Sequence, residues 1–305
     1  RTDADGKIIR RISGKLSLQS GEKKIIRQQM EVKNPKLWSP DTPYLYRVQS
    51  RLKKGNQSID GGVTRVGIRL AEFRGKDGFW LNGKPFGQLV GANRHQDFAY
   101  VGNALPNSQQ WRDAKRLRDA GCTIIRTAHY PQDPSFMDAC DELGLFVIVA
   151  TPGWQYWNKD PQFGELVHRN TREMIRRDRN HPSIFMWSIG NEVLEQWTDA
   201  KADTLSLEEA NLVLNFGHSA DMLAKDGEMS VNSLLTKKLA DMVRKLDATR
   251  PVTAGCNEPN PNNHLFRSGA LDIIGFNYHD DWFAGVPENF PGKPFIVTES
   301  AVSYT

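Results

Sequence analysis

Two short apolar runs in this chain each stop on a carboxylate. SIFMWSI, residues 183–189, is followed by Gly190, Asn191 and Glu192, and KPFIVT, residues 293–298, by Glu299. A short apolar run bounded by turn signals is consistent with a buried strand, so each run would deliver its glutamate at a strand end. Two carboxylates that face each other suit glycoside hydrolysis: one protonates the leaving oxygen while the other attacks the anomeric carbon or activates water. A single glutamate at a strand end is usually an ordinary surface group, so the constellation matters more than its members. Arg126, at the end of TIIR, can keep a neighbouring carboxylate ionised through a charge-assisted hydrogen bond, which suits Glu299 as a nucleophile. His95 and His129 suit sugar hydroxyls or a hydrogen-bonded place at a barrel rim. Trp154, Trp157 and Trp282 offer flat apolar faces for a sugar ring or for ordinary packing.

The elements that would position these residues are legible as a rhythm. Apolar strands are expected at 85–91, 123–126, 145–149, 183–189, 251–254, 272–276 and 294–298, separated by helical patterns or short crossovers. Trp111, Ala114, Leu117 and Ala120 mark one helix. Asp133 followed by Pro134 caps a second, which Gly144 closes. Phe163, Leu166, Val167, Met174 and Ile175 mark a third, and Leu234 to Leu246 a fourth. Strand and helix in alternation predict a parallel sheet. No Gly-rich phosphate fingerprint follows an early strand, whereas polar residues recur at strand C-termini: Arg94, His95 and Asp97, then Arg126 and His129, Asn191 and Glu192, Asn277 and Tyr278, and Glu299. That pattern predicts a (β/α)₈ barrel, whose strand C-termini converge on one mouth. Residues 1–73 instead alternate apolar and polar positions in four short runs, as in a β-sandwich. The expected division is 1–73 for the sandwich and 74–305 for the barrel.

Composition narrows the partners. The 305-residue chain has 39% hydrophobic and 25% charged residues, ordinary for a globular protein, and its net charge of +4 is small for that length. Its basic clusters lie inside helical patterns without interleaved aromatics, which argues against nucleic acid. No run reaches the roughly 18 apolar residues of a membrane span. Cys122, Cys140 and Cys256 are odd in number and widely spaced, so they read as core residues rather than a disulfide or metal framework. Nothing here fixes a cellular location, and self-association stays open.

The stretches LNGKPFGQLVGANRHQD, IIRTAHYPQDPSFMDACDELGLFVIV, HPSIFMWSIGNE and KPFIVTES resemble glycoside hydrolase family 2, the family of β-galactosidases, β-glucuronidases and β-mannosidases. NPKLWSPDTPYLYRV resembles the immunoglobulin-like domain of the same family. The resemblance implies a retaining mechanism with Glu192 as acid/base and Glu299 as nucleophile. It implies that Asn191 binds the sugar 2-hydroxyl, that Arg126 and Tyr278 position the nucleophile, and that His95, Asp97 and His129 line the pocket for the terminal sugar. The substrate would be an oligosaccharide or glycoside, most like a β-D-galactoside, with β-glucuronide and β-mannoside as the alternatives within the family. A catalytically silent carbohydrate-binding module is the alternative from another class; it predicts degraded site residues, and they are intact.

Two departures from the family pattern stand out. Where metal-dependent β-galactosidases of the family carry a carboxylate and a histidine after the third strand, this chain has Trp154 and Tyr156. No magnesium or other cofactor is therefore expected. Only six residues follow Glu299, so an eighth strand is not expected within the chain. The expectation is a barrel truncated before that strand, part of a longer enzyme, with the isolated chain inactive or poorly stable.

Overall fold

The computed structural model describes residues 6–152, 161–192, 231–257, 259–261, 266 and 268–300. Its N-terminal part holds one long hairpin, β1 (Tyr46–Lys54) with β2 (Gln57–Val66), and a small antiparallel sheet of β3 (Ala71–Phe73), β4 (Phe79–Leu81) and β5 (Lys84–Pro85). The strands expected over residues 7–19 and 23–32 do not form a ladder, and Ile25 there is 86% exposed. Alternation becomes a sandwich strand only when a second sheet covers its apolar face, and a lone hairpin is marginal by itself. Among the described residues no second sheet covers β1 and β2.

The barrel follows. Strands β6 (Gly91–Arg94), β7 (Ile124–Thr127), β8 (Phe146–Ala150), β9 (Ile184–Asn191) and β10 (Val252–Gly255) lie side by side in chain order, all parallel. β11 (Ile274–Asn277) and β12 (Phe295–Glu299) pair in parallel and continue the arc, joined to β10 by a bridge between Cys256 and Phe276. Helices α1 (Asn107–Asp119), α2 (Pro134–Leu143), α3 (Pro161–Asp178) and α4 (Val231–Leu246) return the chain between strands, and a short α5 (Val286–Asn289) precedes β12. As expected, the Asp133 side chain accepts from Ser135 N at 2.7 Å, Pro134 opens α2, and Gly144 leaves it in a left-handed turn. No helix among the described residues is long and apolar enough to cross a membrane.

The first barrel strand lies later than its expected place at 85–91. Asn82 and Gly83, both at positive φ (53° and 80°), make a two-residue hairpin turn, and Lys84–Pro85 folds back against β4. Asn-Gly between short runs is the strongest short-range hairpin signal, and here it outweighs the apolar run that follows it.

Strand alternation then sorts the side chains into two cores. Ile125, Val147, Val149, Trp187, Ile189, Val252 and Ala254 face the helices and pack with Phe136, Met137, Ile175, Leu239 and Val243. Ile124, Phe146, Ile148, Phe185 and Ile273 face inward, where they meet Trp38, Phe79 and Leu81 from the N-terminal part, with Phe73, Phe86 and Leu89 beside them. Phe146 and Phe185 have no exposed surface, and burial of each stabilises the fold by roughly 1.5–3 kcal/mol. The small sheet β3–β5 thus closes the N-terminal end of the barrel with aromatic rings, including Phe79 edge-on to Phe146 at 5.3 Å.

Candidate active site

Further along the same inward faces, the residues change character. Ile124 belongs to the inward core and Arg126 follows it two positions on, so a side-chain period of two aims both into the barrel. Arg126 is 3% exposed and acts as a fork: Nη1 donates to Glu299 Oε1 at 2.6 Å and Nη2 to Asn191 Oδ1 at 2.7 Å. Tyr278 donates its hydroxyl to the other carboxylate oxygen, Glu299 Oε2, at 2.7 Å. Asn277 Nδ2 donates to Asn191 Oδ1 and to Glu192 Oε1, each at 3.0 Å. The two carboxylates therefore belong to one hydrogen-bonded chain, Glu192–Asn277–Asn191–Arg126–Glu299.

The backbone makes special provision for this meeting. Between Ser188 and Asn191, β9 uses three steps against two in β10, so the extra residue turns Asn191 to the same inward face as its partner Gly255. β12 likewise takes two steps from Val297 to Glu299 against one in β11, placing Glu299 beside inward-facing Asn277. Such bulges re-aim side chains. Two successive residues of a strand point to opposite faces, yet Asn191 and Glu192 both serve the site, as do Asn277 and Tyr278. The second member of each pair has positive φ, 50° at Glu192 and 60° at Tyr278, which turns it back toward the mouth. That conformation costs a non-glycine residue about 1–3 kcal/mol. Gly255 makes room: a Cβ there would stand 2.7 Å from Asn277 Oδ1, 2.8 Å from Arg126 Nη2 and 2.9 Å from Asn191 Oδ1.

Electrostatics follow from burial and neighbours. Burial, then the charge of Arg126, lowers the His129 pKa to about 4 against a partial rise from Glu299, so the imidazole is neutral at pH 7. Its Nε2 lies 3.6 Å from Glu299 Oε1, and its ring stands edge-on to His95 at 5.5 Å. Burial and the hydrogen bond to Glu299 push the Tyr278 phenol above its ordinary value, so it stays a donor.

Of the residues named from the sequence, Arg126, Asn191, Glu192, Tyr278 and Glu299 share the network and His129 borders it. His95 and Asp97 are exposed. Trp282 is half-buried and packs against the cluster of Ile274, Phe276, Val286 and Phe290. Trp154 and Trp157 lie outside the described residues. Arg94 is not at the mouth: it is 6% exposed, binds Gln110 at 2.9 Å and Asp113 at 2.7 Å, and lies over the Phe136 ring at 4.1 Å. It ties β6 to α1 and α2. Asn277, read from the sequence only as one polar strand end among several, is a central member. Its place directly across the ladder from Glu299 is set by a bulge that no sequence spacing announces.

Residues 73–303 match the profile described as the TIM barrel domain of the glycosyl hydrolases family 2, and residues 1–69 match a second profile of that family. The chain belongs to glycoside hydrolase family 2. It is 50% identical over 305 residues to the β-galactosidase BoGH2A of Bacteroides ovatus, covering 98% of this chain and 36% of that protein. It is 31% identical over 304 residues to a putative β-glucuronidase of Formosa agariphila, covering 97% of this chain and 24% of the relative. Among solved structures, a β-glucuronidase of Bacteroides uniformis superimposes with a TM-score of 0.82 at 29% identity, covering 100% of this chain and 36% of that one. This family 2 chain thus spans about a third of the length of these two Bacteroides relatives.

Proposed function

We propose that the enzyme containing this chain is a retaining exo-β-glycosidase acting on terminal β-D-galactosides. The observation that supports it best is the hydrogen-bonded chain that joins the two carboxylates through Asn277, Asn191 and Arg126. Glu299 has a donor on each oxygen, Arg126 on one and Tyr278 on the other, which fixes the orientation of its carboxylate. Glu192 accepts on Oε1 from the neutral amide of Asn277. Glu299 attacks the anomeric carbon as the glycosidic C–O bond breaks; the bonding pair leaves with the aglycone oxygen, which takes the proton of Glu192. In the second half, Glu192 as carboxylate removes a proton from water, the water oxygen attacks the anomeric carbon, and Glu299 departs as the free carboxylate. Asn191 supports the sugar 2-hydroxyl: its Oδ1 is taken by Arg126 and Asn277, which leaves the amide N–H groups as the donors to substrate.

The galactoside reading rests on the 50% identity to BoGH2A over nearly the whole chain. The superposition on a β-glucuronidase supports the second reading, a β-glucuronide substrate. A panel of aryl β-galactoside, β-glucuronide and β-mannoside with the full-length enzyme separates them: fastest turnover of the galactoside is expected, and preference for the glucuronide would replace it. Proton NMR of the first-formed sugar tests retention. The β-anomer is expected, and an initial α-anomer would overturn the mechanism.

The donor set after the third strand also bears on magnesium. Trp154 and Tyr156 replace the carboxylate and histidine of metal-dependent relatives, and magnesium takes oxygen ligands in near-octahedral geometry. The proposed reaction therefore uses no divalent cation there. Activity should survive exhaustive chelation; a large loss restored by magnesium would contradict this.

A further inference from the structure

We propose that Asn277 is a positioning residue that fixes which oxygen of Glu192 carries the proton, an inference that rests on the reading of Glu192 as acid/base. The argument starts at Arg126, whose guanidinium has donors only. The Asn191 atom 2.7 Å from Arg126 Nη2 must therefore be the amide oxygen. That oxygen, 3.0 Å from the Asn277 amide, requires a nitrogen opposite it, so Nδ2 of Asn277 points there. The Asn277 oxygen consequently faces Thr298, whose hydroxyl lies 2.6 Å away. The Thr298 hydroxyl also lies 2.9 Å from Phe276 O and can donate or accept, so it is the Asn191 side that fixes the orientation of this amide. Its second Nδ2 hydrogen is directed at Glu192 Oε1, 3.0 Å away.

A donor on Oε1 makes that oxygen the acceptor of the carboxylic acid group and leaves the acidic proton to Oε2. The same bond outlasts proton transfer, because Oε1 remains an acceptor in the carboxylate. Asn277 thus holds one edge of Glu192 through both halves of the reaction while Oε2 gives and later takes the proton. Asn277 has no exposed surface, so neither hydrogen bond competes with bulk water.

The test compares Asn277→Ala with Glu192→Gln in the full-length enzyme on an alkyl and a dinitrophenyl β-galactoside, the second having a leaving group that needs no proton. For Asn277→Ala, kcat/KM on the alkyl glycoside should fall on the order of 10- to 100-fold, the range of a lost hydrogen bond to a charged group. On the dinitrophenyl glycoside kcat/KM should hold while kcat and KM fall together, because the glycosyl-enzyme waits for a poorly aimed base. Equal losses of kcat/KM on both substrates would assign Asn277 a structural role and overturn the proposal, provided Glu192→Gln still shows the leaving-group dependence. If Glu192→Gln lacks that dependence, the acid/base reading itself fails and the proposal with it. Should Asn277→Ala not fold, Asn277→Leu, which keeps asparagine's branching and number of heavy atoms, is read by the same criteria.

Discussion

The two ends of the barrel are built from the same strands and solve opposite problems. At the N-terminal end Ile124, Phe146 and Phe185 meet Trp38 and Phe79 in a closed apolar plug. At the C-terminal end the inward positions of those and neighbouring strands are Arg126, Asn191, Asn277 and Glu299, each held by directed hydrogen bonds. Apolar packing is non-directional and roughly proportional to area, so the plug tolerates small displacements. The polar end does not, because every buried donor must find its acceptor. Stability should therefore reside at one end and activity at the other, and substitutions can break the two apart.

The largest effect is expected from Glu299→Gln, which removes the proposed nucleophile. Turnover of every glycoside should fall on the order of 10⁴-fold or more, with the thermal midpoint almost unmoved. A residual rate within 100-fold of the parent enzyme would give the nucleophile to another group. At the opposite end, Phe146→Ala should destabilise the fold by about 3–5 kcal/mol through lost burial and a cavity, with kcat per folded molecule preserved. Calorimetry combined with active-site titration measures both quantities, and a specific loss of kcat would show that the ends are coupled. Gly255→Ala is smaller again. Its Cβ would crowd Asn277, Arg126 and Asn191 together, so kcat/KM should drop by roughly 10- to 100-fold while stability falls by only about 1–3 kcal/mol.

The smallest predicted effect concerns pH, and its sign differs between the ends. His129, at the mouth, has its folded pKa lowered to about 4 by burial and Arg126. The unfolded chain then binds more protons below about 6.5, so this contribution is present above that pH and is lost as pH falls toward 4. His181 precedes β9 at the closed end. Burial alone would lower its pKa, but the hydrogen bond and charge of Asp141 outweigh that and raise it, with Nδ1 and Oδ2 at 2.7 Å. Its contribution is present below about 6.5 and lost as pH rises through the raised value. Thermal midpoints measured from pH 4 to 9 should lose their acid-side slope in His129→Asn and their neutral-side slope in His181→Asn. The same change in both variants would mean that neither local environment governs the titration.

Much of this architecture was legible in the sequence. Six of the seven strand runs, the Asp133-Pro134 cap and the polar residues at strand ends follow from periodicity and turn chemistry, and they locate Arg126, Asn191, Tyr278 and Glu299. The runs before residue 33 misled because alternation records a capacity to be half-buried, whereas a strand also needs a neighbouring strand. Arg94 misled for the opposite reason. It sits at a strand end as the active residues do, but Gln110 and Asp113 on α1 draw it away from the mouth. The role of Asn277 and the need for Gly255 depend on which side chains meet across the ladders. That information lies in the register between strands and not within any one of them.

The extra residues in β9 and β12 act as phase shifters. Each lets a strand run in one phase through the apolar core and in the other where it reaches the mouth, so the chemistry of the last two residues is uncoupled from the packing order upstream. Deleting Gly190 would shorten β9 by a single residue and swing Asn191 through half a pleat toward the helices, while everything from Ile184 to Ile189 kept its place. The barrel can thus vary its apolar lining without turning its glutamates away, and a one-residue deletion at these points is more disabling than many substitutions elsewhere.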